Sequence, residues 1–183
     1  MASQKGLASG RLPTRSPSHN SSGFGPLSRD QYVSRLAHYP ATTNRLLAGT
    51  ATGVYRTTDG GKTWTDVTPP AIGPWMKVSI MDASHFDVTS AYAAINTLRL
   101  DELHPYIYRT RNNGKTWDRI TNGLPDGTIV NVVREDPLRR GLLFAGTEQG
   151  VYLSFDDGES WQSLRLNMPA VSIRGLIIKD DDL

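Results

Sequence analysis

An eight-residue pattern occurs three times in this chain, at residues 57–64, 110–117 and 154–161. Each copy runs hydroxyl residue, any residue, Asp or Asn, any residue, Gly, any residue, hydroxyl residue, Trp. The fixed positions are Thr57, Asp59, Gly61, Thr63 and Trp64 in the first copy, and Thr110, Asn112, Gly114, Thr116 and Trp117 in the second. In the third they are Ser154, Asp156, Gly158, Ser160 and Trp161. A fixed internal repeat constrains the architecture before any single element is assigned, because every copy must solve the same local folding problem.

Each fixed position has a physical task in a tight turn between two strands. The Asp or Asn accepts hydrogen bonds from the turn backbone, and the Gly takes a positive φ without a Cβ clash. The Ser and Thr hydroxyls offer similar local bonds, and the Trp brings a large apolar face to the next strand. A Tyr stands nine residues before each Trp, at Tyr55, Tyr108 and Tyr152, which carries the repeat back into the preceding strand. The Trp-to-Trp intervals are 53 and 44 residues, and a shift of 97 aligns the first copy with the third without a gap. That shift brings Leu46-Leu47-Ala48-Gly49-Thr50 onto Leu143-Phe144-Ala145-Gly146-Thr147, Gly53-Val54-Tyr55 onto Gly150-Val151-Tyr152, and Tyr39-Pro40 onto Asp136-Pro137. A period of about 45 to 50 residues with four short strands per unit is the size of a β-propeller blade.

The octets resemble the Asp-box, or BNR repeat, of sialidases, sortilin-type receptors, xyloglucanase-type glycosidases and a photosystem assembly factor. The resemblance covers residues 30–183, and the stretch from Trp75 to Leu183 is similar to bacterial propellers described as glycosyl-hydrolase-like or sortilin-like. It implies an all-β propeller in which the box is a fold element lying away from the substrate site. The second box departs from the pattern with Asn112, which caps in the same way.

The expected organisation is a tail over residues 1–29 and blades over 30–70, 71–123 and 124–168, with residues 169–183 opening a fourth. Strands are expected at 31–37, 45–49, 53–58 and 63–67 in blade 1, and at 75–81, 90–95, 106–111 and 116–120 in blade 2. Blade 3 takes 129–134, 142–146, 151–155 and 160–164, and the first strand of a fourth blade takes 173–179. Alternation, β-branched and aromatic enrichment, and Gly, Pro, Asn and Asp at the joins support these boundaries. Propellers usually close with about 4 to 8 blades, so three blades and one strand read as a fragment completed by further blades or by another copy of the chain.

The tail is Ser-, Gly- and Pro-rich, with Lys5, Arg11, Arg15 and Arg29 and no acid, and its composition reads as disordered. Without it, 16 basic residues face 18 acidic ones, so the basic balance of the whole chain belongs to the tail and nucleic-acid binding by the blades is not indicated. The tail has no apolar core of signal-peptide length, although full-length relatives of the resembled type are often exported. No stretch is long and apolar enough for a membrane span, and the absence of cysteine excludes disulfides.

Sialidase-type chemistry, as the resemblance implies it, needs three arginines, a Tyr–Glu pair and an Asp. The nearest match to the associated Arg-Ile-Pro signature is Arg11-Leu12-Pro13, inside the tail, and reads as coincidence. Other glycosidases need two carboxylates roughly 5 to 9.5 Å apart. Asp82, Asp87, Asp101, Glu102, Glu135, Asp136 and Glu148 are available, but acids are common in propeller turns. No metal is expected, since His19, His38, His85 and His104 are scattered, and no cofactor motif is present; the Gly49–Gly53 and Gly146–Gly150 spacings read as hairpin turns.

One segment exceeds what the repeat requires. The nine extra residues of the longer interval fall at residues 96–105, in the turn between the second and third strands of blade 2. In an up-and-down blade that turn lies on the face opposite the boxes. The segment supplies Arg99 and His104 as candidate ligand contacts and Asp101 and Glu102 as candidate catalytic acids. Lys77, Arg134 and Arg174, on neighbouring first strands, are candidate contacts for an anionic group. The resulting expectation is a propeller scaffold or binding module for protein or glycan, without complete catalytic machinery; the alternative is a piece of a glycoside hydrolase with catalytic residues in further blades.

Overall fold

The computed structural model describes residues 33–39, 42, 44–165 and 167–179. The tail at residues 1–29, with Arg11-Leu12-Pro13 and His19, lies outside the described residues.

Twelve strands form three four-stranded antiparallel sheets, each built from consecutive strands. Blade 1 holds β1 (Val33–His38), β2 (Leu46–Thr50), β3 (Val54–Thr57) and β4 (Thr65–Asp66). Blade 2 holds β5 (Lys77–Ala83), β6 (Ala91–Asn96), β7 (Ile107–Thr110) and β8 (Asp118–Arg119). Blade 3 holds β9 (Val130–Glu135), β10 (Leu143–Thr147), β11 (Gly150–Ser154) and β12 (Gln162–Ser163). The 97-residue shift appears as identical register: Leu46 pairs with Thr57 and Leu143 with Ser154. The all-β propeller architecture expected from the repeat is the one observed.

Two expected boundaries move for physical reasons. Blade 2 begins at Lys77 rather than at residue 75, because Trp75 sits at φ 72°, a left-handed conformation that no strand residue adopts. The expected strand at 173–179 does not form; residues 171–178 carry no regular strand and Lys179 makes only an isolated bridge. Its contacts still follow the blade pattern. A Cβ on Gly49 would fall 2.6 Å from Val78 of the next blade, and one on Gly146 would fall 2.7 Å from Ile173. The Ile173 N–H donates to the Thr147 carbonyl at 2.8 Å. The segment thus lies where a following first strand would, but among the described residues it has no β-ladder to regularise it.

Each octet closes its turn with the same bonds. Thr57 Oγ1 donates to Asp59 Oδ1 (2.8 Å) and accepts from Gly61 N (2.9 Å), while Thr63 N donates to Asp59 Oδ1 (2.9 Å) and Thr63 Oγ1 to Asp59 Oδ2 (2.5 Å). Ser154, Asp156, Gly158 and Ser160 repeat the set. In the second box the amide reverses one bond, with Asn112 Nδ2 donating to Thr116 Oγ1 (2.8 Å) and its Oδ1 still accepting from Thr116 N (2.9 Å).

The boxes also join blades. Trp117 Nε1 donates to the Val67 carbonyl of blade 1 (2.7 Å), and Trp161 Nε1 to the Ile120 carbonyl of blade 2 (2.8 Å). Gly114 (φ 76°) packs on Val67 and Gly158 (φ 88°) on Ile120, so closely that a Cβ would overlap either side chain. Trp64 instead donates to Gly61 of its own box (3.0 Å). Two apolar clusters run across the seams, one through Leu47, Val78, Ala93 and Ile95 and the other through Ala94, Ile107, Val132 and Leu143.

Candidate functional site

Two regions present chemistry beyond the fold, and they lie on opposite faces. The first is the insertion at residues 96–105. Thr97 donates through Oγ1 to the Glu102 carbonyl (2.5 Å) and closes the loop around the 3-10 turn η1 (Leu98–Leu100). Glu102 contacts His104 Nδ1 and accepts from Tyr106 Oη at 3.4 Å. The His104 contact, ahead of the Tyr106 bond, holds the Glu102 carboxyl below its ordinary pKa. Asp101 is exposed at φ 56°, and Arg99 is exposed beside it. Arg119 lies 4.5 Å above the Tyr106 ring and donates to the Pro105 carbonyl (2.8 Å), which anchors the loop base.

The cationic candidates do not converge. Arg134 is committed to Asp82 (2.9 Å), Arg174 is exposed with its Nε 3.9 Å from Glu148, and Lys77 is exposed at the start of β5.

The second region is a cavity of about 320 Å³ on the box face, between blades 2 and 3. Sequence reasoning placed interest on the other face and missed it. Tyr92 on β6 points its hydroxyl at two carboxylates, donating to Asp157 Oδ1 (2.5 Å) and lying 3.3 Å from Glu135 Oε1. Burial, and then the bond to Asp157, push the Tyr92 phenol far above its ordinary pKa. Glu135, at the end of β9, is 1% exposed at its side chain and also accepts from His85 N (2.8 Å). Arg109 on β7 is 4% exposed and donates to the Asp157 carbonyl (2.5 Å) and to Glu159 (2.9 Å), while Arg111 pairs with Asp157 (2.8 Å). Beneath them, burial raises the Asp82 carboxyl, against the bonds from Glu135 N and Arg134.

This arrangement concentrates charge but is poorly built to attack a bond. A nucleophilic Tyr needs its phenol activated by a base or a lowered pKa, and Tyr92 is buried and held protonated between carboxylates. Arg109 and Arg111 are already neutralised. No group of three or more His, Cys, Asp or Glu among the described residues is placed to hold a metal ion.

Comparison with known proteins agrees with the fold. Residues 55–66 match the BNR/Asp-box repeat. The chain folds as Asp-box β-propeller blades. An ancestral GH74 enzyme superposes on the propeller with a TM-score of 0.62 at 21% identity, over 77% of this chain and 19% of that one. The GH74 xyloglucanase from Xanthomonas campestris gives 0.61 at 15% identity, over 75% and 24%. YCF48, in a structure bound to a D1 peptide, gives 0.61 at 17% identity, over 83% and 46%. At these identities the likeness establishes the fold alone. The propeller blades described here thus span about a fifth to a quarter of the two GH74 chains and under half of the YCF48 chain. No curated protein sequence matches the chain. Among the described residues, no helix is long and apolar enough to cross a membrane.

Proposed function

We propose that these blades act as a binding module that takes a protein segment on the insertion face, and that they supply no catalytic machinery of their own. Trp75 carries the reading. It is 80% exposed and holds a left-handed φ of 72°, a strained conformation for a bulky residue. Such outliers persist where the surrounding structure imposes them, and they gather at ligand sites.

The β5–β6 ladder ends at the pair Lys77↔Asn96, so Trp75 and Leu98 both leave the same ladder end. Leu98, Leu100 and Leu103 are exposed beside it. Apolar side chains rimmed by Lys77, Arg99, Asp101, Glu102 and His104 have the composition of a protein-contact patch. YCF48, which shares this fold, is solved with a D1 peptide bound, and that supports a protein segment as an occupant such blades can take.

The hydrolase alternative draws on the GH74 likeness and takes Asp101 and Glu102 as its candidate acids in these blades, with the remaining catalytic residues in further blades. A general acid needs a raised pKa, and Glu102 is lowered by His104. A displayed peptide library panned on the full chain tests the two readings. Enriched peptides are expected to lose at least tenfold in affinity on Trp75→Ala/Leu100→Asp. An absence of enrichment, together with aryl-glycoside turnover that vanishes in Asp101→Ala/Glu102→Ala, would replace binding with hydrolysis.

A further inference from the structure

The cavity between blades 2 and 3 has a charge that its own residues leave unbalanced. Of the four arginines near it, three pair with a carboxylate. Arg109 pairs with Glu159 at 2.9 Å, Arg111 with Asp157 at 2.8 Å and Arg134 with Asp82 at 2.9 Å. Arg140 lines the cavity with no ion pair among the described residues and faces Asp87. Burial raises the Asp87 pKa, but bonds from Ser90 and Thr89, with a smaller contribution from that guanidinium, bring it down overall. Four cations thus stand against Glu159, Asp157, Asp82, Asp87 and Glu135. Glu135 is left over. Its side chain is 1% exposed, it lines the cavity, and its one ion-pair neighbour among the described residues is His85 Nδ1 at 3.7 Å. A buried carboxylate without a cation is strongly disfavoured unless a partner supplies one.

The rim adds an independent feature. Phe155 lines the same cavity and is 69% exposed, in the box position that Thr58 and Arg111 fill in the other two copies. An exposed ring and a buried carboxylate lining one cavity suit an organic cation, whose charge is drawn to the acid while its flank meets the aromatic face. The volume is at the lower end of the range for small-ligand pockets.

We infer that this cavity is a binding site for an alkylammonium or alkylguanidinium group, with Glu135 as its counter-ion and Phe155 as its rim. The group arrives either as a small free amine or as a lysine or arginine side chain of a partner. Tyr92 and the His85 N–H hold the Glu135 carboxylate in place, and Asp157 adds a second acceptor on the wall.

NMR titration of the full chain with butylammonium, butylguanidinium and neutral butylurea tests this. The two cations are expected to give saturable shifts around Glu135 and Phe155, and the urea none. Glu135→Gln keeps shape and hydrogen bonding and is expected to weaken both cations at least tenfold; Phe155→Ala, at an exposed position, weakens them by about threefold. Acetyl-Gly-Lys-Gly-amide binding tighter than butylammonium supports a side chain as the source, and the reverse order supports a free amine. Equal binding of butylurea overturns the inference. So does wild-type affinity in Glu135→Gln or, should that variant not fold, in Phe155→Ala.

Discussion

The seam between blades 1 and 2 and the seam between blades 2 and 3 are the same geometry filled with different chemistry. In the first, Arg56 Nη1 donates to the Asn113 carbonyl at 2.8 Å; in the second, Arg109 Nη1 donates to the Asp157 carbonyl at 2.5 Å. The two arginines hold one repeat position, and so do the two box residues they reach. Around them the first seam has Leu47 and Ala83, both buried apolar residues, where the second has Tyr92 and Glu135. The apolar version holds its blades together, so the Tyr92–Glu135–Asp157 network is not required for joining blades. A polar network placed where the fold accepts an apolar one is most simply a site, and that contrast carries the cation-binding inference.

The largest test of the shared geometry concerns the tryptophans that cross the seams. Trp161 is 3% exposed and bonded to Ile120, whereas Trp117 is half-buried and bonded to Val67. Trp161→Ala is expected to lose about 3 to 5 kcal/mol in chemical denaturation, and Trp117→Ala clearly less, because less apolar surface leaves the core. Equal losses would mean that the crossing bond, common to both, outweighs burial.

The arginines separate the seams next. Arg109→Met removes the bonds to Glu159 and to the Asp157 carbonyl, leaving Arg111 beside both acids, and is expected to lose about 2 kcal/mol, less than for a fully enclosed pair because Glu159 is exposed. Arg56→Met forfeits the bond to a neutral carbonyl and is expected to lose about 1 kcal/mol. Urea midpoints of the two variants measure the difference. If Arg56→Met is the more damaging, the charged network contributes little to holding its seam.

The sequence carried the blades far better than the cavity, and the reason is distance along the chain. Trp and Tyr spacing, with turn residues at constant offsets, located all twelve described strands to within a few residues, since each blade is local in sequence. The strand expected at 173–179 failed because apolar alternation alone cannot supply a pairing partner. Tyr92 lies 43 residues from Glu135 and 65 from Asp157, so no local motif joins them. Only the strand registers set the columns: Leu47 and Tyr92 hold one ladder position and Ala83 and Glu135 another, whereas the repeat spacing, with all nine extra residues placed at 96–105, puts Leu47 on Ala91 and Ala83 on Asp136. Trp75 was legible as an aromatic and taken for a strand residue, because its left-handed backbone leaves no mark in the sequence.

The smallest effect separates the boxes from the cleft by pH. Hydrogen bonds, led by that from Ser160, lower the Asp156 carboxyl to about 2, and bonds led by that from Thr63 lower Asp59 further. A carboxylate whose folded pKa lies below its unfolded value contributes stability that is present above the unfolded pKa, about 3.9, and is lost as pH falls through the folded value. Asp82 runs the other way. Burial raises its folded pKa, so its charged form opposes folding at neutral pH, and that opposition eases as pH falls through the raised value. Thermal melts from pH 7 to 2 are therefore expected to respond in opposite senses to two substitutions. Asp82→Asn removes a group that favours the fold on mild acidification, and it steepens the acid loss. Asp156→Asn recreates the arrangement of the second box, where Asn112 keeps the turn bonds without titrating, and it makes the loss below about pH 4 shallower. Solvent screening at the exposed Asp156 keeps this second change small, and a steeper loss in Asp156→Asn would show that the folded box does not hold this carboxyl below its unfolded pKa.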